Sequence, residues 1–294
     1  MTDPRLDPRS LAPLFRPASV AVIGASSDPT KLGSIPIGHM KASGFKGPLY
    51  PINPKAATIQ DLPAYASVRA VPGPVDLAII AVPEPLVLPA LRDCAAKGVR
   101  AVVLFTSGFA EVSAAGRRAQ EEIKALARGA GMRLLGPNCM GLVNFANGLV
   151  ATFHLAFGPG LAPAGRIGLI TQSGAFGGVA YQVAQDRALG YSLILTTGNE
   201  GDVEVERALH DIGELVAVMD MRREGGTGRR LDHGHVHFGR RGARQIGMLQ
   251  HVAFDLLLRL EPLRRADAKP DTAQQRQGQL KVGPHLAPPP LFDG

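Results

Sequence analysis

Short apolar runs rich in Val, Ile and Leu alternate, over the first two thirds of the chain, with longer stretches in which apolar residues recur every three or four positions. That alternation predicts buried parallel strands covered by amphipathic helices. The first run, Ala18 to Ile23, breaks at Gly24 and the small residues Ala25, Ser26 and Ser27. It predicts a central strand that turns sharply and leads to a helix over about Ile35 to Met40, whose N-terminus faces the turn. Further strands are expected at Gly47–Asn53, Val75–Pro83, Ala101–Phe109 and Met132–Leu135. Helices are expected over about Leu86–Lys97, ended by Gly98, and Ala114–Arg128. A short helical turn over Leu11 to Phe15 precedes them all. After a Gly-, Ala- and Pro-containing loop from Ala156 to Gly165, the pattern resumes with a strand from Gly165 to Thr171, a helix from about Phe176 to Arg187, and a strand at Tyr191–Thr197.

The small polar residues cluster where these strands end. Gly24-Ala-Ser-Ser27, Asn53-Pro-Lys55, Val82-Pro-Glu-Pro85 and Thr106-Ser-Gly108 each follow an apolar run, which is how an open parallel sheet builds a ligand crevice. Gly24 is followed next by Gly33, so the Gly-x-Gly-x-x-Gly dinucleotide fingerprint is not matched. At the second strand's end, an NAD site calls for an acidic side chain on the ribose; Asn53 and Lys55 stand there instead. Lys55 suits a phosphate on the ribose, and equally a solvated surface position. Cys139 sits among turn formers, Leu135 to Asn144, with no histidine close in sequence; a small buried residue in a turn accounts for it better than a nucleophile. Gln172, Ser173 and Gly174 open the later helix and form a second anion-type turn. They lack the leading glycine of a nucleophile elbow.

Composition narrows the function further. The 294 residues suit two domains, and 45% hydrophobic content is ample for their cores. Aromatic residues make up 5% and Trp is absent, so base-stacking platforms are not advertised. Six of the seven excess positive charges lie in the tail: residues 1–220 carry 19 Lys and Arg against 18 Asp and Glu, residues 221–294 carry 13 against 7. A nearly neutral body argues against a nucleic-acid face. Two cysteines make no disulfide framework or metal spacing, and no apolar run is long enough for a membrane span. No nucleic acid, no membrane, no metal and a cytoplasmic location are therefore expected.

In order, Phe15-Arg-Pro-Ala-Ser-Val-Ala-Val-Ile-Gly-Ala-Ser26, Tyr50-Pro-Ile-Asn-Pro-Lys55, Ala81-Val-Pro83, Thr106-Ser-Gly-Phe-Ala-Glu111, Gly136-Pro-Asn-Cys-Met-Gly141, Thr171-Gln-Ser-Gly-Ala175 and Gly198-Asn-Glu200 resemble the NDP-forming (ADP-forming) acyl-CoA synthetases and the succinyl-CoA synthetase alpha subunit. The resemblance covers about residues 14–206. It implies an α/β fold, a Rossmann-like doubly wound parallel sheet that binds CoA, followed by an incomplete flavodoxin-like α/β domain and a poorly ordered tail. The expected boundaries are an arm at 1–13, the CoA-binding domain at 14–150, a linker at 151–164, the partial second domain at 165–220 and a basic tail at 221–294. The resemblance places Gly24, Ala25, Ser26 and Ser27 at the CoA phosphates, Asn53 and Lys55 near the nucleotide, and Val82, Pro83, Phe105, Thr106 and Ser107 along the cofactor. Asn138 and Cys139 fall near its thiol end, and Gln172, Ser173 and Gly174 at the helix start that holds a phosphorylated histidine.

The implied reaction passes a phosphoryl group from ATP, with magnesium, through an acyl phosphate and a histidine before acyl transfer to CoA. The family's Ser-His-Thr-Gly-Ala-like loop is not found in this chain, and His154 and His210 do not stand in that motif. The implied ligand is coenzyme A or acyl-CoA, with a small carboxylic acid if the chain is active. ATP and ADP would then come through an ATP-grasp, beta-like partner subunit, or the chain would act as a homo-oligomer. The alternatives are a CoA-holding module without turnover, a remnant of a CoA-domain acetyltransferase, or an NAD(P)-binding Rossmann protein. Beyond Glu206 the resemblance decays, as a diverged, truncated or frame-shifted end would. Residues 222–250 and 266–294 are expected to be mobile. His233, His235 and His237 are spaced to share one face of a strand, a pattern that suits zinc less well than a solvated segment.

Overall fold

The computed structural model describes residues 10–158, 161–187, 189–205, 208, 216–220 and 235–238. The expectations for the N-terminal arm up to residue 9, for His210 and His233, and for the tail apart from residues 235–238 fall outside the described residues.

The first sheet is built from five four- or three-residue parallel strands: β1 (Val20–Ile23), β2 (Leu49–Ile52), β5 (Leu77–Ile80), β6 (Ala101–Leu104) and β7 (Arg133–Leu135), in the order β2-β1-β5-β6-β7. All four residues of β1, β5 and β6 are buried, as strands covered on both faces must be. The chain starts at β1, moves out to β2 and then returns to the other side of β1 at β5, so the strand order reverses at the β1–β5 pair. That reversal opens a crevice at the carboxyl ends. Between β2 and β5 lies a two-residue ribbon, β3 (Thr58–Ile59) and β4 (Leu62–Pro63), absent from the sequence expectations.

The helices fall where the periodicity puts them. A single turn, α1 (Ala12–Phe15), precedes β1, and α2 (Ile35–Ala42) follows it. In α3 (Val87–Lys97), Val87, Leu91 and Cys94 repeat on one buried stripe, and Gly98 ends the helix in a left-handed conformation at φ +78°. In α4 (Ala114–Gly129), the Ser113 hydroxyl accepts a bond from the Gly116 amide as N-cap, and Ile123 and Ala127 face the core.

The second sheet is mixed, in the order β13-β12-β10-β11-β8-β9. Its strands are β8 (Gly141–Asn144), β9 (Leu149–Thr152), β10 (Ile167–Thr171), β11 (Tyr191–Thr196), β12 (Val216–Asp220) and β13 (His235–Phe238), with α5 (Gly174–Gln185) against β10 and β11. Two elements differ from expectation. Residues 141–152, read as the end of the first domain and the beginning of a linker, form the hairpin β8–β9, which pairs antiparallel with β11 of the second sheet. Residues 145–148 make its four-residue turn, closed by Gly148 at φ +70°. Residues 235–238, expected within a mobile segment, pair as a strand with β12.

The two sheets are tied together. The Asn144 and Asn147 side chains both donate to the Phe15 carbonyl, and the Ser43 hydroxyl donates to the Gly148 carbonyl at 2.6 Å, so α1 and α2 grip the hairpin turn. Phe105, beyond β6, meets Phe153, beyond β9, edge to face with centroids 4.9 Å apart. Arg133 of β7, its side chain only 7% exposed, donates through Nε to Asp202 Oδ2 at 2.7 Å, and the same oxygen accepts from the Leu134 amide at 3.1 Å. Asp202→Ala deprives a buried guanidinium of its carboxylate and an amide of its acceptor. It is expected to lower unfolding stability by about 3 kcal/mol, read from the urea midpoint, with Asp202→Asn costing less because it keeps an acceptor oxygen.

Candidate functional site

The carboxyl ends of β1, β2, β5 and β6 enclose an open cleft of about 1100 Å³. Its floor is backbone. Gly24 has φ +86°, and a Cβ there would lie 2.4 Å from the Ala81 carbonyl oxygen; a Cβ on Gly33 would lie 2.0 Å from the Gly24 oxygen. Glycine is therefore required at both positions for the segment entering α2 to lie directly on the β1 turn.

Side chains at three of the four strand ends are hydrogen-bonded to backbone. Asn53 donates from Nδ2 to the Ala25 carbonyl at 2.8 Å and accepts from the Lys55 amide at Oδ1, also at 2.8 Å. Thr106 donates from its hydroxyl to the Val82 carbonyl at 2.7 Å. Ser26 accepts from the Asp28 amide, and the Asp28 carboxylate accepts from both the amide and the hydroxyl of Thr30, which hold that carboxyl below its usual range. The two cations on the lining, Lys31 and Lys55, follow β1 and β2; its carboxylates, Glu84 and Asp93, follow β5.

Of the residues expected to meet a cofactor, Gly24, Ala25, Ser26, Asn53, Lys55, Val82, Pro83, Phe105, Thr106 and Ser107 are brought together on this one cleft. Ser27, exposed on the same loop, is not on the lining. Asn138 and Cys139 are also off it. Asn138 adopts φ +56° and donates its amide to the Thr106 carbonyl at 3.0 Å. Cys139 is buried behind it, its thiol directed at the Leu104 and Leu135 carbonyls at 3.4 and 3.7 Å. Burial pushes the Cys139 thiol up to about 12, and burial does the same to Cys94.

Gln172, Ser173 and Gly174 lie apart from the cleft, in the second sheet. Ser173 caps α5 by accepting from the Phe176 amide, and Gly174 is needed because a Cβ there would stand 2.4 Å from Met140 Cγ. His154 is structural: Nδ1 accepts from the Ala156 amide, and its ring lies against Gly178 of α5. Among the described residues, no three metal-ligating side chains come together, and no helix is long and apolar enough to cross a membrane.

A polar cluster escaped the sequence expectations. Glu111 Oε1 accepts from the Gly108 and Phe109 amides at 2.6 and 3.2 Å, while Asn199, beyond β11, donates to Glu111 Oε2 and to Gln120 Oε1. Both Glu111 and Asn199 sit in motifs visible in the sequence, Thr106-Ser-Gly-Phe-Ala-Glu111 and Gly198-Asn-Glu200, but nothing local in either motif announces that they meet.

Residues 18–144 match the CoA binding domain model, and residues 164–217 the model of the succinyl-CoA ligase like flavodoxin domain. The chain joins these two domains. The cleft lies wholly within residues 18–144, and the hairpin β8–β9 straddles the end of that match. The alpha subunit of an acetate–CoA ligase [ADP-forming] II from Pyrococcus furiosus is 40% identical over 65% of this chain and 40% of its own length. An acetate–CoA ligase [ADP-forming] II from Archaeoglobus fulgidus is 39% identical over 66% of this chain and 29% of its own length. The chain thus spans two fifths or less of these two curated relatives. A solved dinucleotide-forming acetyl-coenzyme A synthetase 1 from Ca. Korarchaeum cryptofilum, in complex with phosphate and ADP, superposes with a TM-score of 0.67 at 37% identity, covering 75% of this chain and 47% of its own.

Because the Cys94 and Cys139 thiols are both buried and pushed up to about 12 by that burial, neither is expected to react with a thiol reagent such as Ellman's at pH 8 in the folded protein. Two equivalents should react in guanidinium. Rapid labelling of one thiol in the native protein that Cys139→Ser abolishes would show that Cys139 is reachable from the cleft.

Proposed function

We propose that this chain is the CoA-binding part of an ADP-forming acyl-CoA synthetase, an acid–thiol ligase, and that it needs an ATP-grasp partner for turnover. The observation that carries the reading is that ten of the sequence-expected residues line one cleft at the point where the strand order reverses. CoA presents a pyrophosphate and a ribose phosphate, and Lys31 and Lys55 supply cations beside a glycine turn that lets the ligand approach backbone. Asn53 and Thr106 act on the walls rather than the ligand, since their side chains bond neighbouring loops. NAD is disfavoured because the position that would bind the ribose hydroxyls is occupied by Asn53, whose amide ties two loops, and by a cation.

In such a ligase ATP, with magnesium, would give its γ-phosphoryl group to the acid and leave as ADP, and the CoA thiol would then displace phosphate from the acyl phosphate to form the thioester. Cys139 takes no part, as its thiol is buried and protonated. The chain's own contribution is to hold CoA while the phosphoryl chemistry is done by a partner; the acid is a small carboxylate. A second reading is favoured by one observation. The sequence holds no Ser-His-Thr-Gly-Ala-like loop, so the chain would hold CoA or acyl-CoA without turnover.

Calorimetric titration is expected to show CoA binding more tightly than NAD. Lys55→Ala should weaken CoA by about 1 to 2 kcal/mol, roughly the scale of one charge-assisted hydrogen bond. Equal or preferential NAD binding would sink the assignment. ATP-dependent acyl-CoA formation, assayed with and without an ATP-grasp chain, separates the two readings: product only with the partner supports the ligase, and CoA binding with no product under either condition supports the holding module.

A further inference from the structure

The walls of the cleft are not all held from within the first domain. The loop that continues β6 carries Phe105, Thr106 and Ser107 on the lining, and immediately beyond it the amides of Gly108 and Phe109 are gathered by one carboxylate oxygen of Glu111. Gly108 is at φ +107°, a conformation open to glycine that ordinary side chains resist, and the amides at this bend are held by a side chain of the same loop. That side chain is Glu111, and its other oxygen is bonded by Asn199 from the loop after β11, in the second sheet.

Both side-chain heteroatoms of Asn199 and its backbone amide are engaged. Its side-chain nitrogen reaches both Glu111 and Gln120, the latter buried and also accepting from the Ala110 amide. Its side-chain oxygen accepts from Asn138 at 3.3 Å, and its backbone amide donates to the Pro137 carbonyl at 2.9 Å. Asn138 in turn donates its amide to the Thr106 carbonyl. One side chain of the second domain therefore holds the cleft loop at two places, through Glu111 at residues 108–109 and through Asn138 at residue 106.

We propose that Asn199 and Glu111 are positioning residues for the cleft, through which the docking of the second domain sets the shape of the Thr106–Phe109 wall and hence the affinity for the bound nucleotide ligand. This rests on the reading of the cleft as the CoA site. Partial burial pushes the Glu111 carboxyl upward, and the Gly108 amide, the Asn199 side chain and the Phe109 amide outweigh it, leaving the carboxyl net below its usual range. The group is thus ionised at neutral pH, and its bonds to the amides are of the stronger, charge-assisted kind. Asn199 itself is not on the cleft lining. An effect of Asn199 on ligand affinity therefore has to pass through the network.

The test is a double-mutant cycle in the full chain, read in two ways. Hydrogen exchange at the Gly108 and Phe109 amides is measured without ligand, and CoA affinity by calorimetry, for wild type, Asn199→Ala, Glu111→Gln and the double variant. Each single substitution is expected to speed exchange at those two amides by about tenfold while the amides of β1 and β5 stay protected, and to weaken CoA by about fivefold. The double variant should be no weaker than the poorer single, because both act through one contact. If Asn199→Ala melts too early to assay, Asn199→Asp keeps the shape and sets a like charge against Glu111, and the same loosening is expected of it. Unchanged exchange at Gly108 and Phe109 in the Asn199 variants, or additive losses in the double variant, would overturn the proposal. Failure of the wild type to bind CoA would instead overturn the reading of the cleft, and the exchange arm would still decide whether Asn199 holds the loop.

Discussion

Three stretches of backbone touch at Gly24, and the site depends on that contact. The turn after β1 lies against the Ala81 carbonyl on one side and the segment leading into α2 on the other, at distances that leave no room for a Cβ on Gly24 or Gly33. Because the backbone itself forms the floor, the strand ends on either side come close enough to bond across it: Asn53 to Ala25, Ala81 to Ile23 and Thr106 to Val82. A pyrophosphate approaching such a floor meets peptide groups rather than side chains. The lysines set at its edge supply charge without having to shape it.

What holds the walls comes partly from elsewhere in the chain. The first sheet alone would bury its strands and open its crevice, yet the loop after β6 depends on Glu111, and Glu111 on Asn199. Arg133 and Asp202 form a second tie a few residues away, between the edge strand β7 and the same loop after β11. The two ties share one short segment, Gly198 to Asp202, which is why a loop remote from the ligand has so much of its hydrogen-bonding capacity spent on the neighbouring domain.

The strands and the cleft were legible in the sequence because a parallel strand buried on both faces is a continuous apolar run, and its end is marked by the residues that stop it. Gly24, Pro83 and Thr106 are each both the end of a run and part of the lining. The hairpin β8–β9 was harder to see, since Leu142-Val-Asn and Leu149-Val-Ala-Thr are short and buried, and the cluster of turn formers just before them drew attention to Cys139. The Asn147-Gly148 pair was the available signal. Which way a motif's side chains face was legible only in part. Cys139 is buried in its turn as the residues around it led one to expect, whereas the left-handed backbone at Asn138, which directs that side chain toward Asn199, had no local signal. Glu111 and Asn199 lie 88 positions apart, and no periodicity links positions on different sheets.

The hairpin also changes what a cut in this gene would do. Read along the chain, residues near 144–150 look like the end of one module, and a fusion or fission junction placed there would follow the matched segments. In space, that junction falls between two hydrogen-bonded strands: β8 would stay with the first module while β9, which α2 packs against, would leave with the second. Each product would show an unpaired strand edge, a template for pairing with other chains. Recombination that preserves both halves has to move the breakpoint to one side of the hairpin, carrying residues 141–152 with the second sheet. Exchange of modules into or out of this chain is thereby limited by a dozen residues that belong to one domain in order and to the other in place.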